Sequence, residues 1–358
     1  MFPVPRFTAL RGGGLEVSDH SVKHLVLKKV HSYSSTSSFR LASFGSERIP
    51  EGVVSGGEIH NPEALRAILM RVREKMGQPF VHVSLPEQKG YVFQVSFPVS
   101  EDLSLRDAIT FLLEERVPLS ASDTTFDYEI MPESSSREIK VTVTAFPRKL
   151  VELQHDILRE AGFRPLSFEM ESQAAARALV PPDGKTRMIV DFGDTRTSVS
   201  VVGGGIVRFT TSLDIGGVSL QSALQKALGV DAEEADRLKN EQGILALNQG
   251  NPVAEALIST LSALRDEIGR RFAYWHTHAT EENREASTIE EILLIGGNAN
   301  LRGFSDYLEQ SLRVPVRQPN VWGNLCTFDS YVPPIERTES FRYATVVGLA
   351  LRAFSGTL

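Results

Sequence analysis

Two short apolar segments of the sequence each end in an acidic residue, Glu16 in the first and Asp191 in the second. A small or polar turn and another apolar segment follow each acid, so both are predicted to be β-hairpins. Backbone N–H groups in such turns can bind phosphate, and Mg²⁺ needs only one or two carboxylates because it keeps several waters. Facing each other across a cleft, the hairpins would form a site for phosphate and Mg²⁺. An ordinary β-turn explains either hairpin alone equally well.

Two glycine pairs could bring the backbone close to a flat ligand such as a purine ring. Gly296-Gly297 follows a predicted buried strand, and Gly216-Gly217 lies earlier in the same half of the chain. Glycine has no Cβ, so its backbone can approach a ligand directly. A plain strand-to-helix turn would also explain Gly296-Gly297. Asp236 and Lys239 lie three apart on one face of a predicted helix, where a solvated ion pair is the simpler interpretation.

The composition excludes several classes of protein. The 358-residue chain has 38 Lys and Arg residues against 45 Asp and Glu residues, a formal charge of −7. It therefore lacks the basic excess of a protein that coats nucleic acid or anionic lipid. No apolar run approaches the roughly 20 residues of a membrane-spanning helix, and the single cysteine, Cys326, excludes an internal disulfide. We expect a soluble cytosolic protein without a nucleic-acid partner and without direct membrane insertion.

Alternating predicted strands and helices favour the α/β class. Asn61 and Pro62 start the first clear helix and Gly77 ends it. A helix–strand–strand–helix pattern predicts a small α+β insert, and the apolar stretch 341–354 predicts a helix with a small-residue face around Gly348. The predicted segments are 1–97 (first lobe, opening part), 98–165 (insert), 166–187 (first lobe, continued), 188–335 (second lobe) and 336–358 (C-terminal helix packing on the lobes).

The order of these motifs resembles the actin-like ATPase superfamily. The seven-residue spacing of Glu16 and Lys23 is similar to its first phosphate loop. The pattern Asp191-x-Gly193-Asp194-x-x-Thr197 is similar to its second phosphate loop, and the glycines from Gly296 to Gly303 are similar to its adenosine loop.

Within that superfamily the chain resembles PilM, a family of type IV pilus assembly proteins, and the related cytoplasmic parts of type II secretion. The resemblance runs from about Gly14 to Phe354. It includes the segments 52–59, 82–86, 169–178 and 347–352 as well as the loops. It implies an α/β, actin-like (RNase H-like) two-lobed fold in which the insert is a 1C-type subdomain.

The resemblance implies ATP or ADP with Mg²⁺ as cofactors. Glu16 and Asp191 would hold Mg²⁺, directly or through water. Glu16 and Glu171 would be the catalytic acids, Glu171 by orienting an attacking water. The nucleotide would be bound by Ser18 and Lys23 (first phosphate loop), Asp191, Gly193, Asp194 and Thr197 (second phosphate loop), Gly216 and Gly217 (ribose and phosphates), Asp236 and Lys239 (adenosine), and Gly296, Gly297 and Asn298 (base and α-phosphate).

The first phosphate loop departs from the family pattern in three ways. Glu16 replaces the usual Asp, Ser18 replaces a glycine, and Asp19 stands where small hydroxyl residues are common. A carboxylate about 3 Å from a phosphate, at an effective dielectric near 20, would oppose binding by on the order of several kcal/mol unless Mg²⁺ or Lys23 offset it. The sequence therefore predicts weak or absent hydrolysis, at most a weak ATPase.

The resemblance implies a cytoplasmic adaptor of a type IV pilus or type II secretion-like assembly, peripheral at the inner membrane through a partner. It would bind ATP and Mg²⁺ in the interlobe cleft. A groove in the insert region would bind the cytoplasmic tail of a bitopic inner-membrane protein similar to PilN, either as an added strand or in an apolar groove. A homo-oligomer is compatible with this interpretation.

Three alternatives stay open at the level of sequence. The first is a true ATPase or small-molecule kinase of the same fold. The second is an FtsA-like cell-division protein, which carries its insert at the same place; we expect a basic amphipathic tail in that class, and none precedes Leu358. The third is a degenerate pseudo-ATPase scaffold without nucleotide, for which Ser18 and Asp19 are the main support.

Overall fold

The computed structural model describes residues 11–30, 38–100, 104–245, 247–278 and 288–354. Its strands are β1 Gly13–Val17, β2 Ser21–Val30, β3 Ser38–Arg48, β4 Val54–Ser55, β5 Glu58–Ile59, β6 Phe80–Leu85, β7 Tyr91–Pro98, β8 Thr124–Ile130, β9 Glu138–Pro147, β10 Arg164–Met170, β11 Thr186–Phe192, β12 Thr197–Gly203, β13 Ile206–Leu213, β14 Ile289–Ile295 and β15 Val316–Arg317. Its α-helices are α1 Pro62–Met76, α2 Leu105–Arg116, α3 Arg148–Glu160, α4 Glu171–Leu179, α5 Gly217–Leu228, α6 Ala232–Gln242, α7 Pro252–His278, α8 Phe304–Leu312, α9 Arg337–Ser340 and α10 Ala344–Arg352.

The chain divides into two compact units. Unit 1 comprises Met1–Leu179, Val321–Pro334 and Tyr343–Leu358, and unit 2 comprises Val180–Asn320 and Ile335–Arg342. Residues 180–187 therefore lie with unit 2 and residues 321–334 with unit 1. The division into five segments stays a prediction.

Each unit contains a five-stranded mixed sheet, and within the described ranges the two sheets share one topology. The strand orders are β10-β6-β1-β2-β3 in unit 1 and β15-β14-β11-β12-β13 in unit 2. In each sheet three consecutive strands are antiparallel, β1-β2-β3 in unit 1 and β11-β12-β13 in unit 2. Two further strands add in parallel next to the first of the three, β6 and β10 beside β1, and β14 and β15 beside β11. Glu16 and Asp191 lie on equivalent first strands, so the two β-hairpins predicted from the sequence are confirmed.

Local sequence determines where α1 begins and ends. The side chain of Asn61 accepts a hydrogen bond from the N–H of Ala64 at 3.0 Å, and Pro62 takes the first helical position. Gly77 ends the helix in the left-handed conformation at φ 72°, which favours glycine. The predicted bounds of this helix are confirmed.

The insert contains a three-stranded antiparallel sheet of β7, β9 and β8, in that order. Its core joins β9 to α2 through buried residues such as Ile109 and Val143. The sheet begins at Tyr91, seven residues before the boundary predicted at 98. Helix α3, by contrast, places Ile157 and Leu158 in the main core of unit 1. The apolar pattern of β7 does not distinguish which sheet it joins, so the sequence did not reveal its partner.

Helix α10 packs against β1 and α4 within unit 1. A Cβ on Gly348 would lie 1.7 Å from the carbonyl oxygen of Ala174, and a Cβ on Gly14 would lie 2.3 Å from the carbonyl oxygen of Val346. Both contacts require glycine, because no side chain fits at these distances. The small-residue face predicted around Gly348 is thereby confirmed.

His82 is a buried histidine in β6 whose Nδ1 lies 2.7 Å from Oγ of Ser167. Burial, reinforced by the positive charge of Arg352, lowers the pKa of His82 to about 4 from an ordinary value of 6.5. The ring is therefore neutral in the folded protein at physiological pH.

We predict that this histidine makes the protein less stable in mild acid. Below about pH 6.5 the unfolded chain binds a proton at His82, whereas the folded chain does so only below about pH 4. The free energy of unfolding should fall by roughly 3 kcal/mol across this window, and His82→Asn should remove most of that slope. Urea unfolding at several pH values measures it. If the free energy of unfolding changed equally with pH in the wild type and in His82→Asn, the prediction would be contradicted. A loss of stability in the variant that is the same at every pH would reflect packing only.

Candidate functional site

The first predicted phosphate loop lies in unit 1, at the turn between β1 and β2. Glu16 and Lys23 are cross-strand partners, and Nζ of Lys23 donates to Oε1 of Glu16 at 2.7 Å. The other carboxylate oxygen, Oε2, is buried and has no hydrogen-bond partner among the described residues. A buried acceptor of this kind is available to a donor such as metal-bound water.

Serine at position 18 is compatible with the backbone of this turn. The N–H of Ser18 donates to the carbonyl of Ser21 at 2.9 Å, and the N–H of Ser21 donates to Oγ of Ser18 at 3.2 Å. Neither Ser18 nor Asp19 has a positive φ. The turn therefore needs no glycine for its backbone conformation.

Asp19 does not carry an uncompensated charge. Its carboxylate accepts hydrogen bonds from the N–H groups of Gly56 at 3.2 Å and Gly57 at 3.0 Å. Backbone donors stabilise a carboxylate by charge-assisted hydrogen bonding. From the sequence, Mg²⁺ and Lys23 are the groups that could offset this charge. The structure adds two backbone donors, which lie 37 and 38 residues away along the chain.

The second predicted phosphate loop lies in unit 2, between β11 and β12, and Asn298 fixes it. The carbonyl of Gly193 accepts hydrogen bonds from Nδ2 of Asn298 at 2.7 Å and from the N–H of Gly217 at 3.1 Å. The carbonyl of Asp194 accepts from the N–H of Val218 at 2.9 Å. Three predicted loops thus meet here, since the turn, the start of α5 and the segment after β14 share these hydrogen bonds.

Glycines let these three loops approach each other. A Cβ on Gly216 would lie 2.4 Å from the carbonyl oxygen of Asp194, and one on Gly217 would lie 2.7 Å from Nδ2 of Asn298. Gly296 has φ 90°, and a Cβ there would lie 2.4 Å from Oδ1 of Asp191. We call the group formed by Asp191, Gly193, Asp194, Gly216, Gly217, Gly296, Gly297 and Asn298 the glycine cradle.

Asp236 and Lys239 form the ion pair that their spacing predicts. Nζ of Lys239 donates to Oδ1 of Asp236 at 2.8 Å, and Nε2 of Gln221 donates to the same oxygen at 2.6 Å. Burial raises the pKa of Asp236, but the hydrogen bonds from Lys239 and Gln221 outweigh burial and hold that pKa below its ordinary value. The Lys239 side chain is buried whereas the Asp236 side chain is 47% exposed, so the lysine end of the pair is held in place while the carboxylate faces solvent.

Two further predicted site residues, Thr197 and Glu171, each begin a regular element, β12 and α4 respectively. Thr197 is fully buried, and its hydroxyl donates to the carbonyl of Ile215 at 2.7 Å. This hydrogen bond positions the segment before α5, and a nucleotide contact by Thr197 stays a prediction. Glu171 is the first residue of α4 in unit 1 and is half-buried.

Arg342 is a residue that the sequence did not single out. It is exposed, and a Cβ on Gly297 would lie 2.8 Å from its Nε, so the guanidinium packs against that glycine. Its charge also contributes to the lowered pKa of Asp236. No local motif marks this arginine, because its two neighbours come from segments 45 and 106 residues away in the sequence.

The sequence profile of the type IV pilus assembly protein PilM family matches residues 14–354. The chain belongs to this family. Among solved structures, this PilM-family protein is similar to the PilM-PilN type IV pilus biogenesis complex, at 19% identity and a TM-score of 0.79, with 96% of this chain and 99% of that chain covered.

Two other solved structures are similar to this PilM-family protein. Ethanolamine utilization protein EutJ from Carboxydothermus hydrogenoformans is 15% identical, with a TM-score of 0.52 and coverage of 98% and 91% of the two chains. MreB5 of Spiroplasma citri bound to ADP is 12% identical, with a TM-score of 0.52 and 94% of each chain covered. These matches show the fold, which is actin-like and two-lobed as predicted. None of the helices in the described residues is long and apolar enough to span a membrane.

We predict that Asn298→Asp loosens the glycine cradle. Aspartate cannot donate to the carbonyl of Gly193, and it would bring a carboxylate against two backbone carbonyls. The expected loss in the free energy of unfolding is on the order of 2 kcal/mol, with faster amide exchange in residues 193–197. Asn300→Asp is the matched control, because Asn300 also donates to a carbonyl but is more exposed. Equal losses in the two variants would contradict this role of Asn298.

Proposed function

We propose that this PilM-family protein is an actin-like adaptor of a type IV pilus or type II secretion-like assembly. It binds ATP or ADP with Mg²⁺, and it binds the cytoplasmic segment of an inner-membrane partner similar to PilN. It is cytoplasmic and becomes peripheral at the inner membrane through that partner. The observation that carries the nucleotide part is the glycine cradle of unit 2.

The cradle fits a nucleotide because backbone and small side chains form its surface. At Gly216, Gly217 and Gly296 a Cβ would collide with neighbouring loops. Without side chains at these positions the three loops meet at the N-terminus of α5, and a helix N-terminus favours an anionic group such as a phosphate. Arg342 supports this assignment, since an exposed guanidinium beside Gly297 can stack on a purine or pair with a phosphate. The Asp236–Lys239 pair supplies polar groups for the adenosine.

The acids fit Mg²⁺ carried by the nucleotide. In unit 2, Asp191 would hold the ion from the second phosphate loop. In unit 1, Glu16 is a candidate to bind Mg²⁺ through water, because Glu16 Oε2 is a buried acceptor without a partner among the described residues. Bound Mg²⁺ would neutralise phosphate charge. Hydrolysis is at most weak in this proposal, because the other oxygen of Glu16 is paired with Lys23.

A groove in unit 1 supports the partner-binding part of the proposal. Strand β8 is an edge strand of the insert sheet within the described part of the chain, so a peptide could add to it as a further strand. A cavity of about 240 Å³ lies beside this strand. The cavity is lined by Leu85, Thr125, Phe126, Asp127, Tyr128, Glu129, Thr144, Phe146, Val151, Phe168, Glu169, Gln173 and Arg352.

The groove combines apolar walls with a charged floor. Glu169 is buried and paired with two arginines, Arg177 at 2.7 Å and Arg352 at 2.6 Å. Nε of Arg352 is buried and has no hydrogen-bond partner among the described residues. A peptide that places apolar side chains on the walls and a carbonyl or carboxylate near Arg352 would satisfy this donor.

We predict that Asp191→Ala abolishes tight nucleotide binding. Calorimetric titration of the full chain with Mg-ATP should give a Kd at least about tenfold higher for Asp191→Ala, because the variant loses the carboxylate nearest the expected metal. Asp306→Ala is the matched control, since Asp306 is an exposed residue of α8 in the same unit. Unchanged affinity in Asp191→Ala would contradict this metal role. No binding by folded wild-type protein would favour the pseudo-ATPase scaffold instead.

We predict that Val151→Asp blocks the groove. Val151 lines the cavity from α3, and a carboxylate there would be desolvated by an apolar peptide. Fluorescence anisotropy with a labelled synthetic peptide, the cytoplasmic segment of the PilN-like protein from the same genome, should show at least about tenfold weaker binding. Leu153→Asp is the control, because Leu153 is on the same helix but is 40% exposed. Equal effects, or no saturable binding by the wild type, would contradict the proposed groove.

A further inference from the structure

The turn between β1 and β2 is attached to a second hairpin through Asp19. Strands β4 and β5 are joined by Gly56 and Gly57, both with positive φ, at 61° and 71°. A two-residue type I′ turn requires both of its central residues to have positive φ. Both of their N–H groups donate to the carboxylate of Asp19. We call this contact the Asp19 latch.

The hairpin is a firm support for the latch. Gly57 packs so closely on the segment after β6 that a Cβ would lie 2.7 Å from Cβ of Pro86 and 2.2 Å from Nε2 of Gln88. An ion pair between Glu58 and Lys89 joins the same two segments, and Val54 is buried in the core of unit 1. The hairpin is therefore held to the body of unit 1 independently of Asp19.

The latched turn has a second attachment. The carbonyl of His20 accepts a hydrogen bond from the N–H of Ile49 at 2.8 Å. Asp19 and His20 thus tie the turn to two different segments, and the direction of the Asp19 carboxylate follows from its two donors. Because those donors already compensate its charge, Asp19 need not repel a phosphate bound at this turn.

We propose that Asp19 is a positioning residue that holds the first phosphate loop in its nucleotide-binding conformation through the β4–β5 hairpin. The inference rests on the proposed nucleotide binding and adds how the loop is held. A positioning role and electrostatic repulsion predict opposite changes in ATP affinity when Asp19 is removed. If Asp19 repelled the phosphates, removing its charge would tighten ATP binding. If Asp19 positions the loop, removing it weakens ATP binding.

The test compares Asp19→Ala and Asp19→Asn with the wild type in calorimetric titrations with Mg-ATP and with adenosine. We expect Asp19→Ala to raise the Kd for ATP about tenfold and to leave the Kd for adenosine unchanged, because adenosine has no phosphates. Asp19→Asn keeps one acceptor oxygen, so its Kd for ATP should lie between those of the wild type and Asp19→Ala. Asp107→Ala, at an exposed position in α2 of the insert, removes the same charge and should match the wild type. Tighter or unchanged ATP binding in Asp19→Ala, or an equal loss for adenosine, would overturn the proposal.

Amide hydrogen exchange without nucleotide tests the latch by itself. We expect Asp19→Ala to speed exchange about tenfold in segment 17–22 and at the amides of Gly56 and Gly57, which lose their acceptor, with no change in α2. Wild-type exchange rates at all of these amides would overturn the latch whether or not the chain binds nucleotide. Absence of ATP binding by the wild type, with faster exchange in the variant, would reject the proposed nucleotide function and leave the latch as a structural contact, which also overturns its positioning role.

Discussion

The close contact between α4 and α10 is the constraint on which unit 1 depends most. The carbonyl oxygen of Ala174 occupies the space that a side chain at position 348 would need. Because α10 lies this deep, it also rests on β1 at Gly14, and its last residue, Arg352, reaches Glu169. One helix thus supports both the strand that carries Glu16 and the floor of the groove beside β8.

Unit 2 also holds its predicted site residues in place, but by hydrogen bonds between loops rather than by close packing of helices. Its three loops are held by hydrogen bonds between backbone groups and one amide side chain, Asn298, and glycines leave the room for these bonds. A backbone surface has few rotatable atoms, so it loses little conformational entropy when a ligand binds. A cradle of this kind is preorganised by its own hydrogen bonds rather than by the ligand.

The sequence predicted what local patterns and the order of motifs determine. The bounds of α1 follow from Asn61 and Gly77, and the Asp236–Lys239 pair follows from helical spacing. Contacts between distant segments were not predictable in this way. The donors to Asp19, the position of Arg342 against Gly297 and the sheet that contains β7 each depend on residues far away in the chain. The motif likewise gives the position of Thr197 in its loop but not the direction of its hydroxyl, which donates to the carbonyl of Ile215.

The acidic residues of β8 have a consequence for self-association. An open strand edge can pair with the same edge of a second molecule, and natural proteins suppress this with charge. If two copies of β8 met in antiparallel register about Tyr128, Asp127 of each would lie opposite Glu129 of the other. Like charges directly opposite each other destabilise a strand pair. The acidic residues of this edge therefore disfavour pairing of β8 with β8 of a second molecule.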